Sequence, residues 1–127
     1  MAPRESRTQM RLTIDSFYTL HYFNQLFAAF GIATKNALAE KIMTQFTTKD
    51  AENKLATFYA GPWLEIPFQR IDTSIVFPLT TAIRDEIDRV GLYVLGGVNR
   101  SRTFRVMVNY LASVHKIKKP IRVQQHY

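Results

Sequence analysis

The chain has 127 residues, 46% hydrophobic and 21% charged, with a formal net charge of +7. That composition suits a globular chain of domain size, with no low-complexity tract or disorder signature. It contains no cysteine, which excludes disulfides and thiolate metal sites.

Met10, Leu12 and Ile14 alternate with Gln9, Arg11 and Thr13, the period of a strand with one apolar and one polar face. Asp15 or Ser16 is a candidate cap for the next helix. From Phe17 to Phe30, the residues Leu20, Phe23, Phe27 and Phe30 recur at three- and four-residue steps, one buried helical stripe. Gly31 can close that helix, and Thr34 can cap another carrying Leu38, Ile42, Met43 and Phe46. Thr48 can cap a short helix with Ala51, Leu55, Phe58 and Tyr59 on one side, ended by Gly61-Pro62. Trp63 to Phe68 is apolar and broken by proline, and is expected to be a packed extended segment.

Thr73, Ile75 and Phe77 alternate with Asp72, Ser74 and Val76, a second strand expected to end at Pro78, which has no N–H for a ladder. Thr80 or Thr81 then caps a helix expected over Ala82 to Val90. The segment from Gly91 to Gly97 has no assignment from its pattern. Asn99 is a good cap for a helix running to about His115. A basic tail with Pro120 inside it follows.

Strand, helix, turn, helix therefore occurs twice, from Gln9 to Phe46 and from Thr73 to Val114. The charge is as unequal as the repeat is regular. Residues 1–88 hold nine Lys/Arg and ten Asp/Glu, whereas residues 89–127 hold eight Lys/Arg and no acid. That asymmetry points to a polyanionic partner, most simply nucleic acid.

The second copy, with its strand ending in Pro78, its glycine turn and a helix opening Val98-Asn99-Arg100-Ser101 and closing on Tyr110-Leu111, resembles the ribbon-helix-helix (Arc/MetJ-type) DNA-binding family. The first copy matches only in element order and periodicity, with Asp15 in place of the proline and Thr34-Lys35-Asn36 in place of the Arg-Ser pair. The resemblance implies an α+β fold, a tandem ribbon-helix-helix of two short strands paired antiparallel with four or five helices. It implies a first unit over 1–47, a connecting segment over 48–70, a second unit over 71–115 and a basic tail over 116–127. The two units would form one intramolecular pseudo-dimer. The tandem arrangement is similar to accessory proteins of conjugative DNA transfer, and transcriptional regulators of mobile elements share the fold.

A two-stranded ribbon fits the major groove. The expected base contacts are Gln9, Arg11 and Thr13 from the first strand and Ser74 and Val76 from the second. Unequal strands favour an asymmetric DNA site. Expected phosphate contacts are Thr34, Lys35 and Asn36 at one helix start and Asn99, Arg100, Ser101 and Arg102 at the other, where backbone N–H groups attract anions. Lys116, Lys118, Lys119 and Arg122 would add non-specific contacts. For Arg105, a solvated helix face and a phosphate contact are equally good readings.

The expected partner is double-stranded DNA, with a relaxase or other transfer or regulatory protein beside it, bound by a monomer or by copies assembled side by side. No cofactor or metal is expected, because His21, His115 and His126 share no ligand spacing. No catalysis is expected either: Glu86 and Asp88, two apart on a helix, face different directions, and no phosphate loop or nucleophile–base pair is visible. No apolar run reaches the roughly 20 residues of a membrane span, and no signal-peptide stretch follows the N-terminus, so a cytoplasmic location is expected. Two alternatives stand. In one, a single ribbon-helix-helix per chain dimerises and the N-terminal part binds a partner. In the other, the chain is an antitoxin-like interaction module that does not bind DNA.

Overall fold

The computed structural model describes residues 7–14, 17–61 and 73–118. The order is β1 (Arg7–Ile14), α1 (Phe17–Phe30), α2 (Lys35–Thr44), α3 (Lys49–Ala60), β2 (Thr73–Thr80), α4 (Thr81–Leu95) and α5 (Arg100–Val114). The candidate caps Asp15 and Ser16, the Trp63–Phe68 segment and Asp72 lie outside the described residues.

Local chemistry sets the helix ends. Gly31 takes φ 65°, and the Ile32 N–H donates to the Phe27 carbonyl at 3.1 Å, closing α1 with a left-handed residue. Thr34 Oγ1 accepts from the Ala37 N–H at 3.3 Å and starts α2; Thr48 Oγ1 accepts from the Ala51 N–H at 3.2 Å and starts α3. Asp50 and Glu52 sit in the first turn of α3, where the helix dipole favours acids. Thr80, not Thr81, caps α4, accepting from the Ile83 N–H at 3.2 Å.

β1 and β2 pair antiparallel, from Arg7 opposite Thr80 to Ile14 opposite Thr73. β2 runs through Pro78 to Thr80, so the expectation that it ends at Pro78 is corrected. Each strand of a two-stranded ribbon is an edge strand, where a missing N–H is tolerated. The first strand likewise begins earlier than its apolar alternation, at Arg7.

The expected class, α+β on a tandem ribbon-helix-helix, is corrected. Five helices make the body of the protein. The buried hydrophobic core includes Leu12 and Ile14 of β1, residues from all five helices and Phe46 in the turn after α2. Two strands without a third cannot form a sheet layer, and they must lean on helices for stability. The described chain is mainly helical and carries one short antiparallel ribbon.

α5 is the central helix. It packs against α1, α2, α3, α4 and β1. Phe104, Val106, Met107, Val108, Leu111 and Ala112 are buried along it, too wide a stripe for a surface helix. The Thr19 hydroxyl donates to Asn109 Oδ1 at 3.3 Å, a buried polar link from α1 to α5. The Tyr22 side chain is fully buried, and its hydroxyl has no hydrogen-bond partner among the described residues.

The segment left unassigned by its pattern is the end of α4. The helix continues through Leu92–Leu95 to Gly96 at φ 78°, whose N–H donates to the Leu92 carbonyl. Gly91 hides this continuity in the sequence because glycine is a poor helix former. Its reason is tertiary: a Cβ there would lie 2.7 Å from Thr103 Oγ1 on α5. α4 and α5 come that close only because residue 91 has no side chain.

Candidate nucleic-acid interface

The register places the five candidate base-reading positions together. Leu12 and Ile14 are buried, and strand residues alternate faces, so positions 9, 11 and 13 lie on the opposite side of the ribbon. Across the ribbon, Gln9 stands opposite Pro78, Arg11 opposite Val76 and Thr13 opposite Ser74. Gln9, Arg11, Thr13, Ser74 and Val76 therefore stand at register positions on one side of the ribbon, alternating with the positions of Leu12 and Ile14.

The start of α5 forms the second part. Asn99 is the cap; its Oδ1 accepts from the Arg102 N–H at 3.1 Å, and its carbonyl accepts from the Thr103 hydroxyl at 2.8 Å. A cleft of about 300 Å³ lies beside it, lined by Asn99, Ser101, Arg102 and Arg105. Among the described residues, no carboxylate lines this cleft. Arg105 follows Ser101 by four residues, one helical turn, which brings it to the same face.

Arg100 is not among the residues lining the cleft. Its guanidinium is held by Asp88 of α4 through two hydrogen bonds, Nε to Oδ1 at 2.8 Å and Nη2 to Oδ2 at 2.7 Å. The hydrogen bond to Asp88 raises the Arg100 pKa further above its ordinary value. Arg100 thus ties α5 to α4. Arg102 extends the other way, to α3: its Nη2 donates to the Tyr59 hydroxyl at 3.1 Å, and its guanidinium lies 6.0 Å from the Tyr59 ring centroid. The sequence offers no local signal for this pairing, because the partners are far apart in the chain.

The start of α2 repeats the device with less charge. Thr34 caps it, and Lys35 and Asn36 are exposed beside it. In the tail, Lys116 and Lys118 are exposed, whereas Lys119 and Arg122 lie outside the described residues.

α3 meets α4 through an ion network invisible in the sequence pattern. Glu52 is buried, and its Oε2 accepts from Arg89 Nη1 at 2.5 Å; Arg89 Nη2 also donates to Glu86 at 2.9 Å. Hydrogen bonds to Glu86 and then Glu52 raise the Arg89 pKa. Tyr93 of α4 donates to Asn53 Oδ1 of α3 beside it. The network fixes α3 over α4 and so holds Tyr59 under Arg102.

Comparison with family models, curated proteins and solved structures finds no match. Among the described residues, no helix is long and apolar enough to cross a membrane.

Proposed function

We propose that the protein binds double-stranded DNA in a sequence-dependent way. The outer ribbon face would enter the major groove, and the start of α5 would hold an adjacent phosphate. The observation that carries this reading is the cleft of Asn99, Ser101, Arg102 and Arg105 at a capped helix start, with no carboxylate among the described residues that line it. Backbone N–H groups there favour an anion, and two guanidinium groups add charge-assisted donors. The charge distribution supports it: residues 89–127 hold eight Lys/Arg and no acid, and of these Arg89 and Arg100 pair with acids earlier in the chain.

The ribbon is completed within one chain. One molecule would therefore present a whole reading surface and bind as a monomer, without catalysis. Its output would be occupancy of a site, as a transcription regulator or a DNA-transfer accessory factor exerts it.

The test compares Arg11→Ala and Arg102→Ala on a selected duplex and on random duplex. Arg11→Ala should cost about 1–3 kcal/mol on the selected duplex and little on random DNA. Arg102→Ala should weaken both alike. Equal losses on both duplexes for Arg11→Ala would remove the ribbon from base reading.

A second reading has its own observation. Leu92, Tyr93 and Val98 are large apolar residues, 55%, 55% and 57% exposed around the end of α4. They favour a protein-docking module, and absence of salt-sensitive binding to any duplex would put that reading first.

A further inference from the structure

The two halves of the chain are related by one constant shift in sequence. Gly31 and Gly96 are the two positive-φ glycines, at 65° and 78°, and each closes the first helix of its half. Thr34 and Asn99 are the two side-chain caps that open the second helices, each accepting from the N–H three residues on. The separation from Gly31 to Gly96 equals that from Thr34 to Asn99. The packing is reciprocal too: α5 lies against β1, and α2 lies against β2.

The same shift carries Arg11 onto Val76, and those two residues are direct partners across the ribbon. A residue that pairs with its own counterpart lies on the local two-fold axis. The pseudo-dyad therefore passes through the Arg11–Val76 pair. The shift also relates Gln9 to Ser74 and Thr13 to Pro78, and these occupy the flanking pairs Gln9–Pro78 and Thr13–Ser74.

In a true two-fold ribbon the central pair would be identical residues, and the protein could sit on DNA in either direction. Here one partner is an arginine and the other a valine. Arg11 can donate two hydrogen bonds to O6 and N7 of a guanine, whereas Val76 offers only an apolar contact. The flanking pairs are unequal as well, since Pro78 brings no donor where its counterpart Thr13 has a hydroxyl.

Resting on the DNA-binding reading above, we propose that Arg11 is the residue that sets the direction in which the protein lies on DNA. It reads a guanine on one strand at the centre of the site, on the pseudo-dyad, while the backbone frame around it is symmetric. The phosphate contacts of α2 and α5 would then fix distance from the groove, and Arg11 would break the tie between the two orientations.

The absence of cysteine makes the test direct. A single cysteine replaces exposed Ala33, next to the Thr34 cap, and carries an iron chelate that cuts nearby DNA. A second variant carries it at exposed Val98, the counterpart position beside Asn99. The DNA is a duplex selected from a random pool by the full-length chain. The expected result is cutting on one side of the site from Ala33→Cys and on the other side from Val98→Cys. Adding Arg11→Val, which makes the central pair alike, should give cutting on both sides. Val76→Arg alone should also give both sides and select a more palindromic site.

Two-sided cutting by the Arg11 protein would overturn the proposal while leaving DNA binding intact. So would one-sided cutting that survives both Arg11→Val and Val76→Arg, which would place the orientation signal elsewhere. Loss of salt-sensitive binding to every duplex would overturn the DNA reading and the proposal together. Circular dichroism of each variant separates these results from misfolding.

Discussion

The helix pairs α1–α2 and α4–α5 have the same backbone design and opposite fillings. Each first helix ends at a left-handed glycine, and each second helix starts at a side-chain cap. At the position where α4 has Gly91, the constant shift places Leu26 in α1, fully buried. Glycine lets α4 close onto α5, and those two helices make more extensive contact than α1 and α2 do. α5 is also the longer helix, 15 residues against 10, and carries Arg100, Arg102 and Arg105 where α2 carries only Lys35 and Lys41. Caps and glycines thus set the shared frame, and the residues between them decide which half is rigid and charged.

The largest effect expected from breaking this comparison is at Leu26. Leu26→Ala should leave a cavity between packed helices and cost about 2–5 kcal/mol, read by denaturant unfolding. The mirror change, Gly91→Ala, sets overpacking of about 1–3 kcal/mol against a helix-propensity gain of up to about 1. A net loss near 1 kcal/mol is expected. The double variant with Thr103→Ala should lose less than the two single losses added, because the Cβ then meets no Oγ1.

How much of this was legible follows from the range of the interactions. Caps at Thr34, Thr48, Thr80 and Asn99 are local, and their residue types announce them within three positions. The end of α4 was not legible, since Gly91 reads as a breaker until Thr103 is seen beside it. The weight of the helices over the ribbon is hidden for a similar reason: a strand's period shows in its own residues, but how little sheet it builds depends on neighbours. In the candidate site, ribbon positions followed from alternation, whereas the Arg100–Asp88 and Arg102–Tyr59 pairings join separate helices. Those pairings separate two arginines that look equivalent in sequence.

Asp88→Asn sharpens that separation. It should cost about 0.5–1 kcal/mol, a small value because both partners are partly solvated. It should also raise random-duplex affinity a few-fold by releasing Arg100 and removing an acid. Unchanged stability would deny the tie between α4 and α5. Cap removal compares the halves directly: Asn99→Ala and Thr34→Ala should each cost about 1 kcal/mol. Calorimetry should find the losses alike, while DNA affinity falls more for Asn99→Ala.

The smallest effect concerns Tyr22. Burial, and then the neighbouring Tyr18, raise its pKa above the ordinary 10.0. The folded state therefore holds the phenol proton more tightly than the unfolded state does. The stability this contributes is complete below pH about 10 and is lost as pH rises through the folded-state value. Tyr22→Phe should flatten that alkaline decline in unfolding scans. At neutral pH it should be neutral or stabilising by up to about 1 kcal/mol, since a partnerless buried hydroxyl is removed.

The central claim is DNA binding with phosphate held at the start of α5, and salt tests it most directly. The dissociation constant for a selected duplex, measured at about 50 and about 200 mM monovalent salt, should rise on the order of a hundredfold for about four phosphate contacts. In Arg102→Ala that rise should be smaller. An affinity that does not change with salt, or no binding to any duplex at the lower concentration, would contradict the account.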